Sequence, residues 1–269
     1  MDRREKKRLM HSLAQLFPKF GLRHKRPVDM VTEQIAGRRV EYALSRHDND
    51  TIPVVFENGL MAQLTEWHQV LNPLAKDTTT FAYNRPGYGR SDSASTPRDG
   101  MHIVDELRVL LRAVGLNPPY VLVGHSLGGL YMQLFARRYP EEVHALVLVD
   151  ATHPEQFKGR GAVEHWPRWL RAGFFLAMSR VEKAEFAASN ATGEHLLALP
   201  ELSKKPVIIL SAAKPLQDKS VLGEDGNEKR RDIVRLHPGA TQIWADSSHH
   251  IHRECPEPII SAIRQVTKA

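Results

Sequence analysis

The chain has 269 residues, 42% hydrophobic and 25% charged, which is enough for one large domain with a substantial apolar core. The single cysteine, Cys255, excludes an intrachain disulfide and favours a reducing compartment, so a cytoplasmic location is expected. No apolar run is long enough to cross a bilayer, and the first residues lack the apolar core of a signal peptide.

The net charge of +6 is concentrated at the start of the chain. Residues 1–27 hold nine Lys or Arg against two acidic residues, a net +7 that leaves the remainder at −1. Apolar residues recur at helical spacing in the same segment, which predicts a basic amphipathic extension. Docking on the protein body is the favoured interpretation, with contact to an anionic membrane surface as the alternative. Nucleic-acid binding is not expected, because no recognition motif accompanies the charge.

The first predicted elements are a hairpin and an inner strand. Segments 31–35 and 40–44 flank a short turn, and 52–56 has the pattern of a buried strand. This strand ends at Glu57-Asn58-Gly59-Leu60, where Asn-Gly is also a strong turn former.

A second inner strand at 81–83 leads into the loop NRPGYGRS at 84–91. The loop is interpreted as structural, because the third glycine of a dinucleotide-binding GxGxxG is missing and no helix follows directly. Apolar residues at helical spacing then predict a helix that ends near Gly115 and covers one sheet face.

The segment VLVGHSLGG at 121–129 changes from a strand pattern to a helix pattern with almost no loop between. Ser126 lies at this junction in a GxSxG motif, where a tight turn strains the backbone and exposes the hydroxyl. The amides that follow open a helix, so they can stabilise an anion. A chance match is the alternative, but a strand before and a helix after are the context that the motif requires.

The last third of the core alternates strands and helices. A strand at 143–149 ends at Asp150, further strands are expected at 206–212 and 241–244, and a helix at 232–236. A terminal helix is expected to begin at residues 256–257.

At these residues the chain resembles the α/β-hydrolase family, in its branch of single-domain serine esterases. The resemblance covers about residues 54–266. The stretches that carry it are NRPGYGRSD (84–92), GHSLGG (124–129), LVLVDATHP (146–154) and SHHIHRECPE (248–257).

The resemblance implies an α/β fold with a mostly parallel, doubly wound sheet. The hydrolase core would comprise 28–151 and 206–269, with a small helical cap inserted at 152–205 and the basic extension at 1–27. Aromatic residues in the cap would either line the substrate pocket or pack a small core of their own.

The resemblance also assigns site residues. Ser126 would be the nucleophile, and the amides of Leu127 and Leu60 would form the oxyanion hole. The chain departs from the family at Asn58, where His is more usual, and at Asn84, where Asp is more usual. The residues assigned to substrate binding are Gly59, His125, Trp166, Phe174 and Phe175.

A serine nucleophile needs a base, and three histidines follow the last predicted strand. His249 is chosen because the family places its base seven residues before the proline of the last helix; Ser248 stands where Gly is usual. His250 and His252 are interpreted as rim or packing residues. A metal site from His249, His250 and His252 is not expected, since no carboxylate or Cys ligand completes a recognisable spacing.

Two aspartates are candidates for the acid that orients the base. Many family members carry the acid after the strand at 206–212, but the turn here reads AAKP. Other members take it from the end of the preceding strand, which favours Asp150, with Asp218 as the alternative. Asp150 could instead cap the backbone of 151–153.

The sequence therefore predicts a serine hydrolase that cleaves a small-molecule carboxylic ester without a metal or organic cofactor. The alternatives are a non-catalytic ligand-binding protein on the same fold, and an acyltransferase or lipid hydrolase at a membrane surface. The sequence makes no prediction of the oligomeric state.

Overall fold

A computed structural model describes residues 30–47 and 51–268. The predicted basic extension at 1–27 lies outside the described residues. The described chain begins with the predicted hairpin, in which β1 (Met30–Ile35) pairs antiparallel with β2 (Arg38–Ser45). Ala36 and Gly37 have φ of 50° and 80°. These left-handed values at both central residues are typical of the tight turn that joins adjacent antiparallel strands.

The eight strands form one mixed sheet, and all pairs from β4 to β8 are parallel. The order across the sheet is β1-β2-β4-β3-β5-β6-β7-β8. The strands after the hairpin are β3 (Val54–Glu57), β4 (Thr80–Tyr83), β5 (Tyr120–His125), β6 (Val143–Val149), β7 (Val207–Ala212) and β8 (Thr241–Ala245). Strand β3 begins after Pro53, which has no N–H to donate to the sheet.

Nine α-helices follow or connect these strands in the described residues. They are α1 (His68–Leu74), α2 (Gly100–Ala113), α3 (Leu127–Arg138), α4 (Arg168–Ala177), α5 (Arg180–Ala187), α6 (Ser189–Ala198), α7 (Val221–Asp232), α8 (Ile251–Glu254) and α9 (Glu257–Thr267). None of the helices in this part of the chain is long and apolar enough to span a bilayer.

The helices cover both faces of the sheet because each inner strand is apolar on both sides. Leu122 and Leu146 face a core with α2 and α3, whereas Val121 and Val147 face a second core with α1 and α9. The predicted doubly wound α/β architecture is therefore confirmed, with the carboxyl ends of β3, β5 and β6 brought to one edge.

The segment between β6 and β7 carries helices α4 to α6 and no strand, as the pattern of residues 152–205 predicts. Its aromatic rings form a cluster in which Phe174 lies 5.0 Å from Phe186 and 5.2 Å from Trp166, centroid to centroid. Trp166, Phe174 and Phe186 also line the cavity above the sheet. The same rings thus pack against one another and face the cavity.

The predicted helix at 232–236 is present only as the end of a longer α-helix and a 3₁₀ turn, and the main part of that α-helix was not predicted. The α-helix is α7, and the 3₁₀ turn is Ile233–Leu236. The side of α7 that is buried consists of Asp225, Gly226 and Asn227. A helix that buries polar and small residues leaves no apolar period in the sequence, so the pattern could not reveal it.

His237 follows that 3₁₀ turn and is 1% exposed. Its Nε2 donates to Oε1 of Gln133 over 3.1 Å. Burial, followed by the charge of Arg137, lowers the pKa of His237 to about 4. The folded protein therefore holds this imidazole neutral at pH values where the unfolded chain protonates it.

We expect the free energy of unfolding to decrease as the pH falls from about 6.5 towards about 4. Over this range His237 binds a proton in the unfolded chain but stays neutral in the folded protein. This group should contribute about 3 kcal/mol to the decrease. Urea unfolding at stepped pH should show a shallower pH dependence for His237→Gln than for wild type. The exposed control His195→Gln should keep the wild-type slope; equal slopes in all three proteins would contradict the prediction.

Candidate active site

Ser126 stands between β5 and α3 with φ 52° and ψ −123°. This backbone conformation is costly for a residue with a Cβ and is maintained by the packing around it. A Cβ on Gly124 would lie 2.7 Å from Gly128 O, and a Cβ on Gly128 would lie 2.4 Å from Asn58 O. The glycines of the motif therefore allow strand, helix and the loop after β3 to approach one another closely.

We expect Gly128→Ala to lower both stability and any hydrolytic activity. The added methyl would meet the backbone oxygens of Glu57 and Asn58 at 2.5 and 2.4 Å, and backbone cannot rotate away. Such overpacking typically costs about 1–3 kcal/mol. Urea unfolding and ester hydrolysis measure the two effects.

Gly173→Ala is the matched control, since Gly173 also lies inside a helix but a Cβ there has nothing within 4 Å. This change should leave the protein as stable as wild type or more so. If Gly128→Ala is as stable and as active as Gly173→Ala, the contact between Gly128 and the loop after β3 is not tight.

His249 and Asp150 form a close pair at the edge of the sheet. His249 Nδ1 lies 2.6 Å from Asp150 Oδ2, with the two side chains 12% and 1% exposed. Asp150 directly follows β6 and has φ 38°. Since a carboxylate only accepts, Nδ1 carries the hydrogen and Nε2 is left as the basic nitrogen.

Arg230 on α7 binds the same carboxylate, with Nε 2.9 Å from Oδ1 and Nη2 3.1 Å from Oδ2 of Asp150. The amide of Ala212 also donates to Oδ1. Burial raises the pKa of the Asp150 carboxyl, but the charge of Arg230 and the hydrogen bond from His249 outweigh it and hold the pKa well below its usual range. Sequence reasoning missed Arg230 because it lies on the unpredicted helix.

Asp218, the alternative acid, lies at the end of a 3₁₀ turn before α7. Its Oδ1 accepts from the amide of Ser220 over 2.9 Å, and its side chain also lines the cavity. The carboxylate 2.6 Å from His249 Nδ1 is that of Asp150, the favoured candidate.

The loop that carries His249 is fixed from two sides. His125 Nε2 donates to the carbonyl of His249 over 2.9 Å. Glu254 accepts from the amide of Ser248 at 3.0 Å and also contacts its hydroxyl. Burial raises the pKa of Glu254, but the hydrogen bonds from Ser248 reverse this and lower it to about 2. The serine in place of the usual glycine therefore has a partner that holds this turn.

The loop after β3 passes directly over the nucleophile. A Cβ on Gly59 would lie 3.0 Å from His125 Nδ1 and 3.2 Å from Ser126 Cβ. Leu60 and Leu127 both line the cavity beside Ser126. The loop after β3 and the first residue of α3 therefore meet beside Ser126.

A buried arginine holds that loop in place. Arg85 Nη1 donates to Glu57 Oε1 and to Asn58 O, both at 2.6 Å, and Nη2 donates to Gly59 O at 3.0 Å. The other side of the guanidinium binds Glu185 of α5, with Nη2 2.9 Å from Oε2. Arg85 therefore joins the loop after β3 to the cap.

Asn58 and Asn84, the two residues at which the chain departs from the family pattern, both have hydrogen-bond partners in this region. Asn58 donates to Tyr83 O at 2.7 Å and accepts from Trp67 Nε1 at 2.9 Å. Asn84 accepts from the amide of Leu64 at 2.8 Å and donates to Glu41 at 2.7 Å. Both amides are fully buried and hydrogen-bonded, so they are compatible with a folded site.

The cavity between the sheet edge and the cap has a volume of about 230 Å³. Ser126, His249 and His125 line it on the sheet side. Its apolar wall consists of Leu60, Met61, Phe157, Trp166, Leu170, Phe174 and Phe186. Phe175 packs edge-on against Phe186, 5.6 Å between centroids.

Comparison with known sequences supports these observations. A sequence model described as alpha/beta hydrolase fold matches residues 52–225. The uncharacterized protein YqjL of Bacillus subtilis (strain 168) is 25% identical over 232 residues, which are 82% of this chain and 85% of YqjL. The (lyso)-N-acylphosphatidylethanolamine lipase of Homo sapiens is 28% identical over 140 residues, which are 48% of this chain and only 39% of the lipase.

Solved structures share the fold. The crystal structure of the enol-lactonase from Burkholderia xenovorans LB400 aligns with a TM-score of 0.59 and 14% sequence identity, covering 89% of this chain and all of the lactonase chain (100%). At this identity the likeness concerns the arrangement of strands and helices.

Proposed function

Because the chain belongs to the α/β-hydrolase family, we propose that it is a serine hydrolase that cleaves a carboxylic ester, or a related acyl compound, through an acyl-enzyme on Ser126. The observation that carries the proposal is the 2.6 Å contact between His249 Nδ1 and Asp150 Oδ2 at the wall of the cavity that Ser126 also lines. An imidazole held in this tautomer can accept a proton on Nε2.

In the proposed reaction, Ser126 Oγ attacks the ester carbonyl while His249 Nε2 takes the hydroxyl proton. Asp150 stabilises the imidazolium that forms. His249 then returns the proton to the departing alcohol, which leaves the acyl group on Ser126. Water, deprotonated by the same imidazole, attacks the acyl-enzyme and releases the carboxylic acid and the free serine.

The amides of Leu127 and Leu60 are proposed to hold the oxyanion. Leu127 is the first residue of α3, so its N–H has no carbonyl within the helix to bind and lies at the positive end of the helix dipole. Each donor of this kind contributes about 3 kcal/mol to transition-state stabilisation. The buried Arg85 supports this role by fixing the carbonyls of Asn58 and Gly59, which precede Leu60.

The cavity favours an apolar acyl group of modest size. Its volume of about 230 Å³ is below the range of about 300–1,000 Å³ typical of ligand pockets. Turnover of p-nitrophenyl esters should therefore fall as the acyl chain lengthens beyond a few carbons. The partial similarity to a lipase makes hydrolysis of a lipid ester the second candidate, and rising turnover with chain length would favour it.

Covalent labelling with a fluorophosphonate tests the proposed nucleophile directly. Intact-mass analysis should show one adduct on wild type and none on Ser126→Ala. The exposed control Ser95→Ala should be labelled like wild type. Absence of an adduct on wild type would instead support a non-catalytic ligand-binding protein, and an adduct retained in Ser126→Ala would place the reactive group elsewhere.

A further inference from the structure

Three side chains that could bind a metal ion meet beside the proposed active site. Glu66 comes from the 3₁₀ turn Leu64–Trp67 after β3, and His250 and His252 come from the start of α8. One ligand atom from each residue lies within 4.8 Å of the other two. No carboxylate completes a recognisable metal-ligand spacing with these histidines along the chain, and the fold supplies one from a position 186 residues before His252.

Two residues of the cluster are buried and His250 is partly buried, and the polar atoms of the cluster are incompletely paired. His252 is 1% exposed and Glu66 is 7% exposed. His252 Nε2 lies 3.1 Å from Glu66 Oε2, which accounts for one ring nitrogen. Both nitrogens of His250 and Nδ1 of His252 are buried and find no hydrogen-bond partner within the described residues.

This pattern is unusual for a packing role. Buried imidazole nitrogens without partners cost free energy, and native structures pair nearly all such atoms with protein, water or an ion. The hydrogen bond between His252 and Glu66 gives the carboxylate one partner but leaves both nitrogens of His250 without one. Two imidazoles and one carboxylate form a familiar set of protein ligands for zinc.

We propose that Glu66, His250 and His252 bind one divalent ion of the Zn²⁺ class. Ligand atoms about 2.0–2.2 Å from a tetrahedral ion lie about 3.4 Å from one another. The Nε2–Oε2 separation of 3.1 Å is already close to this value, and the upper limit of 4.8 Å for the set needs only small side-chain rotations. Nitrogen ligands disfavour Ca²⁺ and Mg²⁺, which prefer oxygen.

The site would lie in the wall of the substrate cavity, because Glu66 and His250 line it together with Ser126. The ring of His250 lies 5.6 Å from that of His249, centroid to centroid. Three protein ligands leave a further coordination position for water or an anion. A bound ion would also cross-link the segment after β3 to the segment after β8, so it should raise the melting temperature.

Zinc binding to the full chain, produced without a polyhistidine tag and treated with a chelator, tests the proposal. Isothermal titration and elemental analysis should give one Zn²⁺ per wild-type chain, and thermal unfolding should occur at higher temperature with the ion. Glu66→Gln, His250→Gln and His252→Gln should each weaken binding at least about tenfold, since even the loss of a group that only supports a ligand costs about 10–100-fold.

His195→Gln is the matched control, because it removes an exposed histidine on α6 and should bind Zn²⁺ like wild type. His250 is partly exposed, so His250→Gln should fold even where replacement of the buried His252 disrupts the protein. Wild type that binds no stoichiometric Zn²⁺, or Glu66→Gln and His250→Gln that bind it with wild-type affinity, would overturn the proposal. The readout is metal content and affinity, so the result does not depend on the proposed hydrolase activity.

Discussion

Asp150→Asn is expected to lower kcat/KM for ester hydrolysis by about 10⁴-fold, the size of effect that follows when the acid of a serine–histidine–aspartate set becomes an amide. The neutral amide no longer stabilises the imidazolium of His249, and its N–H can favour the wrong tautomer. The contact of 2.6 Å between Asp150 Oδ2 and His249 Nδ1 is the reason to expect the full effect. Steady-state kinetics with a chromogenic ester measures it.

Asp218→Asn is the matched control, since Asp218 lines the same cavity and was the alternative acid. It should retain activity within about tenfold of wild type, because in the proposed reaction Asp150, and not Asp218, stabilises the base. If Asp218→Asn loses its hydrolytic activity and Asp150→Asn keeps it, the acid is Asp218. Urea unfolding should accompany both assays, because Asp150→Asn also removes the anionic partner of Arg230.

Arg85→Met is expected to cost about 3–5 kcal/mol of stability, which is typical when one partner of a buried ion pair is removed. The side chains of Arg85, Glu57 and Glu185 are 1%, 0% and 0% exposed. The change therefore leaves Glu57 in the core without its cation and leaves Glu185 only the weaker contact with Arg98, 3.4 Å away. The carbonyls of Asn58 and Gly59 lose their donor as well. Urea unfolding monitored by circular dichroism measures the loss.

Arg90→Met is the control for this experiment, because Arg90 is 65% exposed and reaches Glu41 only at 3.9 Å. Exposed pairs of this kind contribute about 0–1 kcal/mol. Adding Glu57→Gln to Arg85→Met should return part of the lost stability, since the carboxylate that lost its cation is then neutral. A single Arg85→Met variant as stable as Arg90→Met would show that the network contributes little.

The same network bears on activity. Arg85 contacts the loop before Leu60 with one side of its guanidinium and the cap helix α5 with the other. Arg85 therefore links the cap to the segment that carries the proposed oxyanion donor. In any Arg85 variant that still folds, the fold decrease in kcat should exceed the fold increase in KM, because the donor acts on the transition state.

The local signals of the sequence were sufficient for most of the fold. Apolar runs predicted β5 and β6 and the change of period at Ser126 predicted the start of α3, all close to their observed bounds. Helix α7 was not predicted because the residues that it buries are polar or small. Hydrophobic periodicity detects only helices that bury apolar residues.

The sequence by itself determined where the candidate nucleophile lies, since strand, serine, glycines and helix are neighbours along the chain. It also reduced the acid to two aspartates. Only the tertiary structure decided that Asp150 contacts His249, that Arg230 binds the same carboxylate, and that Glu66 meets His250 and His252. These partners lie about 80 to 186 residues apart, so the ends of different strands must come together before their chemistry exists.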